Sequence, residues 1–211
     1  MAPLLAPLFP SGGLRRGTVV AVQADGAGAT SLVLALVAPA VAAGAWAAMV
    51  GLADVGLVAA AEQGVDLGRL VLVPRPGARW AEAAAALLDG MDVVVVGAST
   101  VGVGLARRLT ARVQERGAVL VALIDRRGWP EAEVRLAVEP VEPADATSSG
   151  RTGPARGGHR PTGGWEGVGG GYGHLHRRRV AVVAGGRHAA AEGRRVELWL
   201  PGPGGRPAAL G

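Results

Sequence analysis

Four consecutive valines, Val93–Val96, follow Met91 and Asp92. A run without polar alternation has no face to give to water. It reads as a strand buried on both sides, the habit of a parallel sheet. Parallel strands need long crossovers, usually helical, so this run constrains its neighbours to strand–helix–strand units. The chain around it fits. Thr18–Val22 reads as a short buried strand ending in a Gly-rich turn, Asp25–Gly28. Thr30 and Ser31 open an apolar helix to about Ala43, kinked at Pro39 and stopped at Gly44. Trp46–Val50 and Leu70–Val73 are further strands, with a helix over Val55–Gln63 between them. Trp80–Leu88 is an Ala-rich helix. Leu105, Leu109 and Val113 recur at helical spacing, with Arg108 and Arg112 beside the stripe, and Ala118–Ile124 returns as a strand. Alternating strand and helix predicts an α/β fold with a mostly parallel sheet flanked by helices.

The pattern changes after residue 133. Val134–Val138 alternates like a half-buried strand. Residues 142–164 are Pro, Gly, Ser, Thr and Arg with little apolar content, and read as a disordered insertion. Arg177–Ala184 and Arg195–Leu200 alternate again and predict C-terminal antiparallel strands. The expected organisation is a core over 1–141, the insertion over 142–164, strands completing the core over 165–200, and a loose tail over 201–211.

Composition narrows the chemistry. There is no Cys, which excludes disulfides and Cys-based zinc sites. All 22 basic side chains are Arg, and the formal net charge is +5. That charge suits nucleic acid or an acidic partner, and equally a compositional bias toward Arg, Ala and Gly. Leu32–Leu52 carries no charge and is long enough to span a bilayer. Its Ala and Gly content, Pro39 and Gly44 favour a buried helix and strand instead, so no membrane partner is expected. The opening MAPLLAPLFP lacks a basic secretory n-region, and a cytoplasmic location is expected. His174 and His176 stand two apart, but nothing supplies a third metal ligand, and His159 and His188 complete the inventory. Ser11, Ser31 and Ser99 lack a nucleophile signature, and no paired-carboxylate site stands out. Trp46, Trp80 and Trp199 read as core or interface residues.

The ordered segments resemble the RecA recombinase core, in register. Gly12–Val22 (GGLRRGTVVAV) looks like the approach to the RecA phosphate loop. Gly64–Leu70 (GVDLGRL) is close to a RecA helix-to-strand turn, and Met91–Val96 sits where the Walker B strand belongs. Val134–Val138 and Arg178–Val183 match late RecA strands. The chain is more similar still to the ImuA family, in its actinobacterial ImuA-prime branch. The marks are LFPSGGLRRGTVVAV, VGLADVGLVAAAEQGVDL, LVPRPG, the WEG element at Trp165–Gly167 and the terminal LWLPGPGG. The resemblance implies a place beside a Y-family-like protein, ImuB, and an error-prone C-family polymerase, in damage-induced translesion synthesis.

Set against the phosphate-loop pattern G-x-x-x-x-G-K-[ST], the loop reads QADGAGATS. Gln23 takes the first Gly position, Gly28 the second, Ala29 the Lys position and Thr30 the hydroxyl position. A turn, a helix start and hydroxyls survive at Asp25, Gly26, Gly28, Thr30 and Ser31. The Lys does not, and only an Arg reaching in can replace it, since the chain has none. Gly97 stands where the Walker B Asp belongs. Ala53, with Asp54 adjacent, stands at the catalytic Glu position. Phosphoryl transfer depends on such positioned charges, so no catalytic residue and no cofactor is expected. Weak ATP and magnesium binding stays as the alternative, against a loop that is only a tight turn.

The two RecA strand-contact loops correspond to Gly97–Gly104 and Asp125–Glu131, both short. Arg126 and Arg127 suit phosphates and Trp129 suits base stacking, or the three form a solvated turn. Arg177 and Arg179 would share one strand face, suited to phosphates or an acidic partner. The RecA-like region begins near residue 10, without the N-terminal helix and strand by which RecA protomers dock. The resemblance therefore implies an acceptor surface open to ImuB, with RecA itself a further partner.

Overall fold

The structure, a computed structural model, describes residues 3–98, 100–125, 128–141, 165–169, 172–186 and 193–210, with 165–169 and 172–176 described by backbone alone. The expected insertion at 142–164 lies outside the described residues.

Six strands run parallel: β1 (Thr18–Gln23), β2 (Ala47–Val50), β3 (Leu70–Val73), β4 (Val93–Ala98), β5 (Val119–Ile124) and β6 (Val134–Pro140). Four more complete the sheet: β7 (Trp165–Gly169), β8 (Tyr172–Gly185), β9 (Arg194–Trp199) and β10 (Ala208–Ala209). Among the described residues the order is β10-β9-β8-β6-β1-β5-β4-β2-β3, with β7 pairing β8 off this path. The β6–β8, β8–β9 and β9–β10 pairings are antiparallel. The expected α/β class therefore holds, with a mostly parallel sheet and C-terminal antiparallel strands. β5 lies between β1, which leads into the phosphate-loop position, and β4, which leads to the Walker B position.

The valine run does what its composition dictates. Val93 and Val95 enter one core cluster, and Val94 and Val96 enter the other. Helix α1 (Ala29–Ala42) covers the first face. Its residues from Leu32 to Ala38 are all buried, as expected of a helix that is apolar all round. Leu5, Leu8 and Phe9, from the N-terminal 3-10 turn and just past it, join that cluster. Helix α2 (Leu57–Glu62) is shorter than its pattern predicts. Helices α3 (Trp80–Leu87) and α4 (Val103–Arg116) cover the second face through Ala84, Ala106, Leu109 and Val113. Gly44 passes α1's end at φ 100°, a left-handed conformation suited to glycine. Pro39 lies inside α1, near its end.

One expectation changes, and another holds. The segment after residue 200 is not a loose tail over its described residues: Ala208 and Ala209 pair with Trp199 and Leu198. The uncharged stretch Leu32–Leu52 becomes α1 and the buried β2, and no described helix is long and apolar enough to cross a membrane.

Candidate functional site

Strand β1 delivers the chain to the degenerate loop between β5 and β6. Ala24 N–H donates to Ile124 O at 2.8 Å, anchoring the loop's first residue. Gly28 turns through φ 103° and caps α1. Ala29 N–H, at the Lys position, donates to Gly26 O at 3.0 Å. In a phosphate cradle the loop N–H groups converge on the anion. Here one of them is absorbed by the turn. Ala29 is buried, Ser31 half-buried, and Asp25 and Thr30 are exposed.

The far wall comes from β6 and β8. A Cβ built on Gly26 would stand 2.8 Å from Val138 O. One on Gly28 would meet Val138 Cγ1 at 3.3 Å, Arg178 Nη1 at 3.7 Å and Val180 Cγ1 at 4.0 Å. The loop is thus packed against two later strands. Arg178 is 3% exposed, and burial pulls its guanidinium below the usual arginine range. Among the described residues, Arg178 is an arginine that reaches the loop in a chain without Lys. Sequence reasoning passed over it in favour of its neighbours. The signal was present: if Arg177 and Arg179 share one strand face, Arg178 shares the other with Val180 and Val182.

The metal position is closed as well. Gly97, in β4, packs against the turn after β2. A Cβ there would lie 2.9 Å from Gly51 O and 3.0 Å from Leu52 Cδ1. Gly51, at φ 78°, would in turn meet Gly97 O at 2.5 Å. Two backbones touch where a Walker B carboxylate would stand. Ala53 and Asp54 sit in the exposed turn that follows. The residues present do not fit a magnesium-bound triphosphate. The carboxylate has no room, the Lys position is a buried alanine, and the loop faces packed strands.

The expected DNA contacts separate. Arg126 and Arg127 lie outside the described residues. Trp129 is a correction: it is fully buried in the second core cluster, and its Nε1–H donates to Thr110 Oγ1 at 3.0 Å. A ring inside the core offers no face to a base. Arg177 and Arg179 do share a face. Arg177 stacks over Trp199, 4.4 Å from the ring centroid. Arg179 Nη2 donates to Glu197 Oε2 at 3.2 Å, within a ladder that Arg195 continues to Glu139. Trp80 packs on the second core cluster, whereas Trp46 is 43% exposed beneath Arg69. The side chains of His174 and His176 lie outside the described residues, as do His159, His188 and Ser99.

At the opposite edge of the sheet, β3 has β2 on one side and, among the described residues, no strand on the other. Its sequence is LVLV, free of charge and of proline, and all four residues are half-buried. Helix α2 and the 3-10 turn Leu67–Arg69 lead into it and pack on each other. They expose Leu57 (42%), Val58 (74%) and Leu67 (42%).

The uncharacterized protein Rv3395c of Mycobacterium tuberculosis is 43% identical over 134 residues, 62% of this chain. Those residues make up 63% of the relative's own length, so the match leaves more than a third of that protein uncovered. The MT3502 N-terminal domain family matches residues 7–131, a span from the N-terminal turn through β5 that contains the altered loop, Gly51 and Gly97. The chain belongs to the MT3502 N-terminal domain family.

Proposed function

We propose that this protein is a non-catalytic accessory subunit in damage-induced translesion DNA synthesis. In this reading it is an ImuA-type scaffold that holds an ImuB-like protein and links it to an error-prone C-family polymerase. The name of the partner comes from the resemblance of the sequence to the ImuA-prime branch. The single observation that carries a docking role is the β3 edge, which no described strand covers. Soluble proteins ordinarily blunt a free edge with charge, proline or a bulge. The four residues of β3 carry none of them, with Arg69 and Pro74 only at its ends, and exposed Leu57, Val58 and Leu67 lie on the elements that lead into it. An extended partner segment can add there as a strand, with backbone hydrogen bonds giving affinity and alternate apolar side chains giving specificity. The packed loop and the Gly51–Gly97 contact support a role in which nucleotide chemistry has no part.

Co-purification of the full chain with its cognate ImuB-like protein tests the proposal. Retention at micromolar concentration is expected, and loss of retention in Val71→Lys. No association between the native pair would sink it.

Arg178 favours a second reading. A buried guanidinium beside a helix start is suited to an anion, and the loop would then retain weak nucleotide binding. Calorimetric titration with ATP, with and without magnesium, separates the two. Saturable magnesium-dependent binding would favour the second reading over the first. Under either reading a modulating contact with RecA is checked in a strand-exchange assay, where slowed exchange would reveal it.

A further inference from the structure

Helix α2 has six residues and a weak hold of its own. A helix that short is marginal in water, and this one buries a single side chain, Ala60. Val55 before it and Val65 after it reach the first core cluster, while Leu57 and Val58 face solvent. Its end is nonetheless fully hydrogen-bonded. Gln63 N–H donates to Ala59 O at 3.1 Å, Gly64 N–H to Ala61 O at 2.9 Å and Val65 N–H to Ala60 O at 3.0 Å.

The surface that meets this end comes from the far side of the sheet. Strands β9 and β10 pair as an antiparallel hairpin, at the other end of the strand order from β3. The loop between them contains PGPGGRP, Pro201–Pro207, which includes the end of the LWLPGPGG motif. Its root is tied to β8: Leu200 N–H donates to Arg178 O at 2.7 Å, and Arg178 N–H donates to Pro201 O at 3.0 Å. The loop then closes on itself, with Gly202 N–H donating to Arg206 O at 3.0 Å and Gly205 N–H to Gly202 O at 2.9 Å. Its tip rests on α2. A Cβ on Gly205 would stand 2.6 Å from Glu62 Cβ and 3.2 Å from Glu62 C. One on Gly64 would meet Arg206 Nη2 at 3.4 Å. Pro39 and Ala42, from the end of α1, line one cleft with Gly64, Arg206 and Pro207. The two ends of the sheet therefore meet over α1. Gly204 and Gly205 are both left-handed, at φ 68° and 84°, but a Cβ on Gly204 would meet nothing within 4 Å. Of the two, only Gly205 is required for close approach.

We propose that the β9–β10 hairpin is a clasp that sets the position of α2, with Gly205 as its point of contact. The hairpin supplies what the short helix lacks, a surface against its last turn that is fixed to β8. Short pairings at an edge open locally at less cost than the sheet itself, so the clasp can release α2 without unfolding the core. Leu57 and Val58 follow α2, and the clasp thereby acts on the docking surface; this second step rests on the docking reading above.

Hydrogen exchange on the full chain, read by mass spectrometry, tests the clasp without a partner. Gly205→Ala should speed exchange of the amides over residues 60–65 by at least about tenfold, and leave β1, β4 and β5 at their native rates. Gly204→Ala brings the same left-handed strain into open space and should speed exchange at α2 less. Native exchange over 60–65 in Gly205→Ala overturns the proposal. So does an increase shared by the whole sheet, because the hairpin would then only add to overall stability. An equal effect of the two variants also overturns it, since strain within the loop and not contact with Glu62 would be the cause. Capture of the ImuB-like protein tests the second step separately. Gly205→Ala should weaken it by at least about fivefold, although no hairpin residue lies on β3. Native capture by a variant whose α2 exchanges fast overturns control of the docking surface. No capture by the native chain would sink the docking reading and this second step with it, while the exchange result alone decides the clasp.

Discussion

The indole of Trp129 and the hydroxyl of Thr110 form a buried pair that joins the loop after β5 to α4. Thr110→Val keeps the shape and removes the acceptor, stranding a buried N–H at a cost of about 1–3 kcal/mol. Urea denaturation should show that loss, and Trp129→Ala should cost more, about 3–5 kcal/mol. An unchanged midpoint in both variants would mean that the ring is not in the core. Gly97 leads to a second test at this scale. Restoring the missing chemistry with Ala29→Lys and Gly97→Asp forces one side chain into a buried position and another against Gly51 O. The double variant should lose stability, by about 1–3 kcal/mol for the overpacking alone. It should gain no ATP turnover, read by phosphate release. These residues differ in how far the sequence reveals them. Ala29 and Gly97 are visible as departures from a spaced motif. The burial of Trp129 is not, because a tryptophan beside two arginines carries no periodic signal. Nor is the packing of Val138 and Arg178 on the loop, which depends on strands that meet only in the folded sheet.

Elements were legible in proportion to the length of their pattern. The valine run, β1 and β5 are continuous apolar segments, and their burial leaves one reading. Helix α1 runs for 14 residues and carries its own stop at Gly44. Strand β10 escaped notice because two alanines between prolines and glycines have no strand propensity of their own. Its partner β9 supplies the order. The β3 edge is a case where the pattern reveals the strand but not its position in the sheet. LVLV reads as buried, yet no described strand pairs with its other side. That position sets a prediction at element scale. Val58→Glu, on a side chain 74% exposed, should leave stability within about 0.5 kcal/mol. It should still weaken capture of the ImuB-like partner in a pull-down, as should Val71→Lys. Capture at the native level by both variants would move the docking site elsewhere.

Across the whole molecule, separate parts are tied by arginine–carboxylate clamps. Asp92 accepts from Trp46 N–H at 3.0 Å and from Arg16 Nη2 at 2.7 Å, linking the starts of β4 and β2 to the approach to β1. Asp89 holds Arg112 and Arg116, tying the end of α3 to α4. Glu197 accepts from Arg179 and Arg195 between β8 and β9. Each carboxyl is held below its ordinary range. The cause for Asp92 is first the Trp46 N–H and then Arg16; for Asp89 it is Arg112, and for Glu197 it is Arg179. A depressed folded pKa means that the unfolded chain binds more protons in the interval between the two values, so stability rises with pH there. The contribution is fully present above the unfolded carboxylate values of about 4. It is lost as pH falls through the depressed folded ones. Melting temperature should therefore be flat near neutral pH and fall below about pH 4, with part of the fall removed in Asp92→Asn. The neutral-pH melting point of Asp92→Asn should already be lower, because the charge that holds Arg16 is gone at every pH. High salt should lower the native plateau only modestly, since the most exposed of these pairs contribute little. Melting curves with the same acid slope in the native chain and in Asp92→Asn would place the pH-sensitive contacts elsewhere in the sheet.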